Sequence, residues 1–367
     1  MLTGPALTRF RKNLLAWFSQ FQRDLPWRQS KDAYRIWLSE IMLQQTRVAT
    51  AIPYYQRFLE RFTDVQSLAE APEDEVLRLW SGLGYYSRAR NLQKAAQQIV
   101  ALHGGVFPAT EPEALALPGI GSYTAAAILS IAHGQKLAVL DGNVARVLAR
   151  LQAIRGDLRA SGRWQGLQTN ADALLAQDAP GDWNQAMMEL GATLCSPKSP
   201  QCLLCPVNEF CRARKLGLAD TIPAKRKKRP MVKIRLVAAV LLDSQGRTLL
   251  LPPPKREAGA KRKADVGALV SRMWHFPTTE VRRNAPLDLR DYLQKSLFDG
   301  RKISATFELL RKVRHAVTYR AITLQPFRIK LKKLSHVPGA KILSLDELSS
   351  VPISNLTHKI ARAALDS

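Results

Sequence analysis

The sequence predicts a multidomain chain, an all-α first part of about 220 residues followed by an α+β second part. Three observations carry that division. Apolar residues recur at helical spacing from Leu7 through the run ending at Leu194. All four cysteines fall directly after it, at Cys195, Cys202, Cys205 and Cys211. Beyond a basic stretch with prolines at each end, the chain turns to short β-branched and apolar runs that read as strands. The expected domains are residues 1–219, with the cysteine loop at 195–211, a linker over 220–232, and residues 233–367.

In order along the chain, Leu7, Phe10, Leu14, Leu15 and Phe18 mark an amphipathic helix over residues 7–22, broken at Leu25-Pro26-Trp27-Arg28. A second helix starts near Asp32 and carries YRIWLSEIMLQQTRV. On its wheel Glu40 lies with Ile36, Leu43 and Gln44, while Trp37 and Ile41 crowd the neighbouring face. Apolar company raises a carboxyl pKa, as a general acid working near neutrality requires. A glutamate at the edge of a buried face has the same pattern. APEDEVLRLW and SRARNLQKAAQQIVALHGG read as two helices joined by SGLGYY, with Pro72 and the acidic residues after it marking the first start. Tyr85 and Tyr86 beside Arg88 and Arg90 can stack on bases and bind phosphates, or pack the turn. A helix over 111–117 then leads into LPGIGSYTAAAILSIAHGQKLAVLDGNVARV, Leu117 to Val147. Gly119 and Gly121 permit a tight turn and a close approach to the amides that start the next helix, a place that suits a phosphate. They also suit an ordinary helix–helix turn. Asp141 sits where an N-cap is expected, and a capping carboxylate can also be catalytic.

With 55 Lys and Arg against 30 Asp and Glu, the net charge of +25 argues for a polyanionic partner, nucleic acid before an anionic membrane. No apolar run is long enough to span a bilayer, and MLTGPALTRFRKNLLAWF lacks a signal-peptide core. The expectation is a monomeric, cytoplasmic protein, bacterial and nucleoid-associated, with reduced thiols. Four cysteines spaced Cys-x6-Cys-x2-Cys-x5-Cys in one stretch then argue for a metal rather than disulfides. Thiolates suit zinc and an iron–sulfur cluster alike.

The LPG-hydrophobic-G hairpin followed about a helix later by an Asp resembles the helix-hairpin-helix DNA glycosylases. Five blocks sharpen this: LPWR (Leu25–Arg28), WLSEIMLQQT (Trp37–Thr46), SGLGYYSRARNL (Ser81–Leu92), LPGIGSYTA with LDGN, and the cysteine loop. Together they resemble the MutY-type adenine DNA glycosylases of the endonuclease III superfamily, densely over 7–215 and loosely beyond. That resemblance implies base excision repair, with adenine removed from duplex DNA where it is mispaired with 8-oxoguanine or guanine. It makes Glu40 the acid that protonates adenine N7, and Asp141 the carboxylate that stabilises the sugar's developing positive charge. Tyr123 and Asn143 become their helpers, and Trp27, Arg28 and Gln185 form the adenine pocket. Gln44 and Tyr85 fill the stack and wedge beside the oxidised base, with Gln45 and Thr46 near it, because the target adenine must be flipped out of the duplex. The hairpin of Gly119 and Gly121 grips a DNA phosphate, and the cysteine spacing matches the family's [4Fe–4S] loop.

Lyase relatives carry a lysine two residues after the hairpin's second glycine, where its amine attacks the sugar. Here that position is Tyr123, and a phenol forms no Schiff base, so water should release the base and leave an abasic site. The second part resembles the family's Nudix-like domain, with MWHFP (Met273–Pro277) matching one of its strands. Residues 278–300 lack the glutamate-rich metal box, which implies binding without hydrolysis. Val317-Thr318-Tyr319 falls where the family reads 8-oxoguanine, and Thr318 keeps a hydroxyl there. A thymine-glycol or mismatch glycosylase fits the QQT block and the second domain less well. A DNA-binding protein without catalysis does not account for both carboxylates.

Overall fold

The computed structural model describes residues 2–224, 229–253 and 272–366. The basic run expected over 225–229 and the Pro/Lys/Arg-rich loop over 252–265 fall largely outside these residues. Two compact units are formed, residues 1–70 with 91–227 and residues 71–90 with 228–367. The segment 71–90, expected within the helical domain, thus belongs to the second unit.

The first unit is helical. It begins with α1 (Gly4–Phe21), α2 (Ala33–Leu43), α3 (Val48–Arg61) and α4 (Val65–Glu70). After α5 (Glu73–Trp80), which lies in the second unit, α6 (Ser87–His103) returns the chain to the first. There follow α7 (Glu111–Ala116), α8 (Ser122–His133), α9 (Gly142–Gln152), α10 (Arg163–Leu174), α11 (Pro180–Thr193) and the short α12 (Arg212–Lys215). Phe10, Leu14 and Phe18 of α1 are buried in one core with Val144 and Leu148 of α9, Leu167 of α10, and Trp183 and Leu190 of α11. Each such side chain contributes about 1.5–3 kcal/mol on leaving water, which makes this cluster the frame of the unit.

The helix expected to run through Val48 stops at Leu43. The reason lies in its composition: residues 34 and 36–42 are all buried, whereas Gln44-Gln45-Thr46-Arg47 offers no apolar face to bury. Gln45 turns into the left-handed region at φ +59°, the Thr46 N–H donates to the Leu43 carbonyl at 3.2 Å, and α3 starts at Val48.

The second unit is built on a mixed sheet. Its described strands are β1 (Val232–Leu242), β2 (Arg247–Leu250), β3 (Thr278–Glu280), β4 (Phe307–Leu309), β5 (Val313–Val317), β6 (Arg320–Lys330) and β7 (Lys341–Ser344). Their order is β4-β6-β1-β2-β7, with β3 also on β1 and β5 on β6; β1 and β6 run parallel and the other pairs antiparallel. Leu236, Ala238 and Val240 of β1 face one core, shared with Leu356 and Ile360 of the last helix, α14 (Asn355–Leu365). Val237, Ala239 and Leu241 face the other, shared with Leu289 and Leu293 of α13 (Ala285–Leu297). A strand buried on both faces explains why IRLVAAVLL shows no polar alternation. Met273–Pro277 is not a continuous strand: Trp274 bridges Ile353, His275 bridges Leu251, and regular pairing resumes at Thr278.

Candidate active site

α2, α8, α9 and α11 converge in the first unit around a cavity of about 410 Å³. Ten of the residues singled out in the sequence line it: Trp27, Arg28, Glu40, Gln44, Gln45, Thr46, Tyr123, Asp141, Asn143 and Gln185. The break after Leu43 is what swings Gln44 to Thr46 onto its wall. The size and the mixture of apolar walls with few polar groups suit a small-molecule-sized ligand.

Glu40 is only 7% exposed. Burial disfavours its ionised form and pushes its pKa up to about 7. The Tyr123 hydroxyl donates to Glu40 Oε2 at 2.7 Å and Arg28 lies near, both opposing the rise, while Asp141 adds to it. Burial also raises the Asp141 pKa, opposed chiefly by the backbone N–H groups of Val144 and Asn143. Those groups reach Asp141 Oδ1 at 2.7 and 2.9 Å, and Asn143 Nδ2 reaches Oδ2 at 3.0 Å. Asp141 is therefore the N-cap of α9 and a wall of the cavity at once, a carboxylate held by the helix's own donors. Arg146 fixes the helper in turn, donating to Asn143 Oδ1 at 3.0 Å and to the Gly191 and Cys195 carbonyls at 2.8 Å each.

Sequence reasoning missed Glu189 and Arg23. Glu189, 1% exposed, accepts from Arg23 Nε at 2.7 Å, from Arg23 Nη2 at 2.7 Å and from Arg28 Nη2 at 2.8 Å. Burial works against its charge, but these guanidinium bonds prevail and hold its pKa down to about 2. All three line the cavity, so Glu189 fixes two cations in the wall. MELG on a helix gives no sign of this, because the partners lie 166 and 161 residues away.

The other singled-out residues lie elsewhere. Gly119 forms the α7–α8 turn at φ +82°, and Gly121 caps α8 in extended backbone at φ −108°. In the second unit Tyr85 is 41% exposed at φ +48°, and Thr318 stands exposed at φ +54° in the two-residue turn joining β5 to β6. Gln45, Tyr85 and Thr318 are thus all non-glycine residues in the left-handed region, a conformation kept only where the surroundings enforce it.

Cys195, Cys202, Cys205 and Cys211 line a second, smaller cavity of about 30 Å³ in the first unit. Burial, and then the neighbouring thiols among other groups, raises the pKa of Cys202, Cys205 and Cys211, with Cys205 reaching about 12. Arg150 also lines it, donating from Nη1 to Cys195 Sγ at 3.2 Å, while its buried Nη2 has no hydrogen-bond partner among the described residues. Four thiols that repel one another as thiolates, beside a buried cation with a spare donor, fit an anionic metal–thiolate group. Among the described residues no three His, Cys, Asp or Glu side chains close to the spacing a single metal ion needs.

Residues 38–163 match the model of the HhH-GPD superfamily base excision DNA repair proteins. The adenine DNA glycosylase of Homo sapiens is 36% identical over 97% of this chain and 74% of its own length. That of Buchnera aphidicola (subspecies Baizongia pistaciae) is 32% identical over 89% of this chain and 87% of its own. The structure of a thermostable thymine-DNA glycosylase superposes with a TM-score of 0.53 at 27% identity, covering 57% of this chain and 97% of that one. The likeness to that solved structure spans little more than half of the chain, whereas the two sequence relatives extend through both halves, and it is on them that the assignment rests: the chain belongs to the adenine DNA glycosylases, enzymes of helix-hairpin-helix base excision repair.

Proposed function

We propose that this enzyme flips adenine mispaired with 8-oxoguanine or guanine out of duplex DNA and hydrolyses its N-glycosidic bond, leaving an abasic site. The observation that carries the reading is a buried acid whose pKa is raised to about 7 beside a firmly held carboxylate in one cavity. Glu40 keeps its proton near neutrality and is oriented by the Tyr123 hydroxyl. It donates that proton to adenine N7, so the base leaves neutral rather than as an anion. Asp141, anchored by two N–H groups and Asn143, faces the positive charge that develops on the sugar, the paired-carboxylate logic of glycoside cleavage. Arg28, clamped by Glu189, Trp27 and Gln185 supply the walls and donors that hold the base. Water takes the sugar carbon, since Tyr123 stands where an amine would be needed for lyase chemistry.

The cysteine set is read as holding a [4Fe–4S] cluster, which would tie residues 195–211 into a fixed loop on the helical domain and take no part in base release. Tyr85, Gln44, Gln45 and Thr46 are assigned to the gap left in the stack and to the opposite base. Residues 233–367 form the module that reads the oxidised base, with Thr318 at its contact point, and 220–232 the linker to it.

The test is base release from duplexes carrying adenine opposite 8-oxoguanine, guanine or cytosine, scored for free adenine and for strand breakage. Fast release from the first two, slow release from the third and an unbroken strand are expected. Equal release from all three, or a nick without added base, would remove the reading.

A further inference from the structure

The turn that carries Tyr85 is held in an unfavourable shape by groups far away in sequence. Gly82 and Gly84 have φ of +105° and +71°, and Tyr85, with a Cβ, sits at φ +48°. A strained backbone of this kind relaxes unless its neighbours over-determine it. Part of the restraint is local, with Arg88 Nη2 donating to the Leu83 and Gly84 carbonyls at 3.3 and 3.2 Å and Trp80 Nε1 to the Gly84 carbonyl at 3.2 Å.

Further restraint comes from around the start of the last helix, within the same compact unit. Asn355 Nδ2 donates to the Gly82 carbonyl at 3.2 Å. Ser81 Oγ donates to the Ile353 carbonyl at 2.9 Å, and with that proton committed, His358 Nε2 donates to Ser81 Oγ at 3.2 Å. Farther along, Asp74 accepts from Trp274 Nε1 at 3.4 Å and pairs with Lys341 at 3.6 Å. Arg90 Nη2 donates to the Arg272 carbonyl at 2.8 Å. Residues 71–90 are therefore tied at both ends and at the turn.

We propose that Asn355 and His358 are positioning residues for Tyr85, so that the C-terminal part of the chain sets the preference for the base opposite adenine through this turn as well as through its own reader at Thr318. This rests on the assignment of Tyr85 to the gap beside that base. A side chain that wedges into a stack discriminates only if its backbone is fixed, and the three hydrogen bonds at Ser81 and Gly82 fix the residues that open its turn.

The test is a double-mutant cycle in the full-length protein, reading the ratio of single-turnover excision for adenine opposite 8-oxoguanine over adenine opposite guanine. Asn355→Ala should lower that ratio roughly two- to tenfold, the range set by one hydrogen bond, while excision opposite guanine holds and the Tm falls by no more than a few degrees. Ser81→Ala should act alike, and Ser81→Thr, which keeps the hydroxyl, should restore the ratio. In a Tyr85→Ala background the effect of Asn355→Ala should vanish, whereas that of Thr318→Ala should persist. An Asn355→Ala effect that survives in Tyr85→Ala, or a uniform loss on every duplex with a lowered Tm, overturns the inference. A lowered ratio in Tyr85→Ala with none in Asn355→Ala overturns the inference alone. An unchanged ratio in Tyr85→Ala overturns both it and the assignment of Tyr85.

Discussion

A carboxyl that must give up a proton near neutrality has to hold it there, and in Glu40 the cause is burial, only partly offset by Tyr123 and Arg28. The consequence for rate follows directly. Excision should fall as pH rises through about 7, where Glu40 loses its proton, and should fall again at low pH as Asp141 becomes protonated. The consequence for stability runs in the same direction as pH rises. With its pKa raised from 4.5 to about 7, Glu40 binds a proton in the fold over a range where the unfolded chain releases it. Its contribution is therefore complete below pH 4.5 and is lost as pH rises to about 7, a change of up to about 3 kcal/mol. Glu40→Gln keeps an acceptor for the Tyr123 hydroxyl but has no acidic proton. It should slow adenine release roughly a hundred- to ten-thousandfold, keep duplex binding, and raise the Tm at pH 8 with the gap closing towards pH 4. Near-normal single-turnover release would take Glu40 out of the mechanism. Glu40 was legible in the sequence because its apolar neighbours, Ile36 and Leu43, share its helical face and its cavity. Glu189 was not, because its environment consists of two arginines near the other end of the domain.

Gly119 and Gly121, one motif in the sequence, are separate cases in the element they build. Gly119 lies at φ +82°, and a Cβ there would stand 2.9 Å from Cβ of Asn91 on α6. Gly121 has extended backbone and nothing within 4 Å of an added Cβ. Gly119→Ala should therefore destabilise the fold by about 1–3 kcal/mol through backbone strain and the clash, lowering the Tm by several degrees. Gly121→Ala should lower the Tm only slightly, through a poorer cap, and should chiefly weaken duplex binding, where a methyl group would obstruct a phosphate approaching the start of α8. Equal Tm losses in the two variants, by calorimetry, would refute this division; undiminished affinity in Gly121→Ala would remove that glycine from the DNA contact. The same limit applies to α2: periodicity showed its buried face, but the stop at Leu43 depends on where Gln44 to Thr46 gain their tertiary contacts.

For the molecule as a whole, chain order and compact units do not coincide, since 71–90 joins 228–367 through contacts more than 180 residues apart that no local pattern can announce. A fragment ending near Ala219 keeps every residue that lines the candidate active-site cavity and all four cysteines. It should still release adenine opposite guanine. It loses Ile353, Asn355, His358, Trp274 and Lys341, and with them the outer restraints on Ser81, Gly82 and Asp74. Two separable effects should result. Preference for 8-oxoguanine over guanine should drop about ten- to a hundredfold, from the loss of one or two contacts to the base edge worth roughly 1–3 kcal/mol each. Independently, the turn at 82–86 and the start of α6 should open, so that limited trypsin digestion cuts after Arg88 or Arg90 in the fragment while the full chain resists there. A fragment that discriminates as well as the full chain would leave the C-terminal module without its assigned task. A fragment that loses discrimination yet keeps 82–90 protected would place the whole effect at Thr318 and none in the turn.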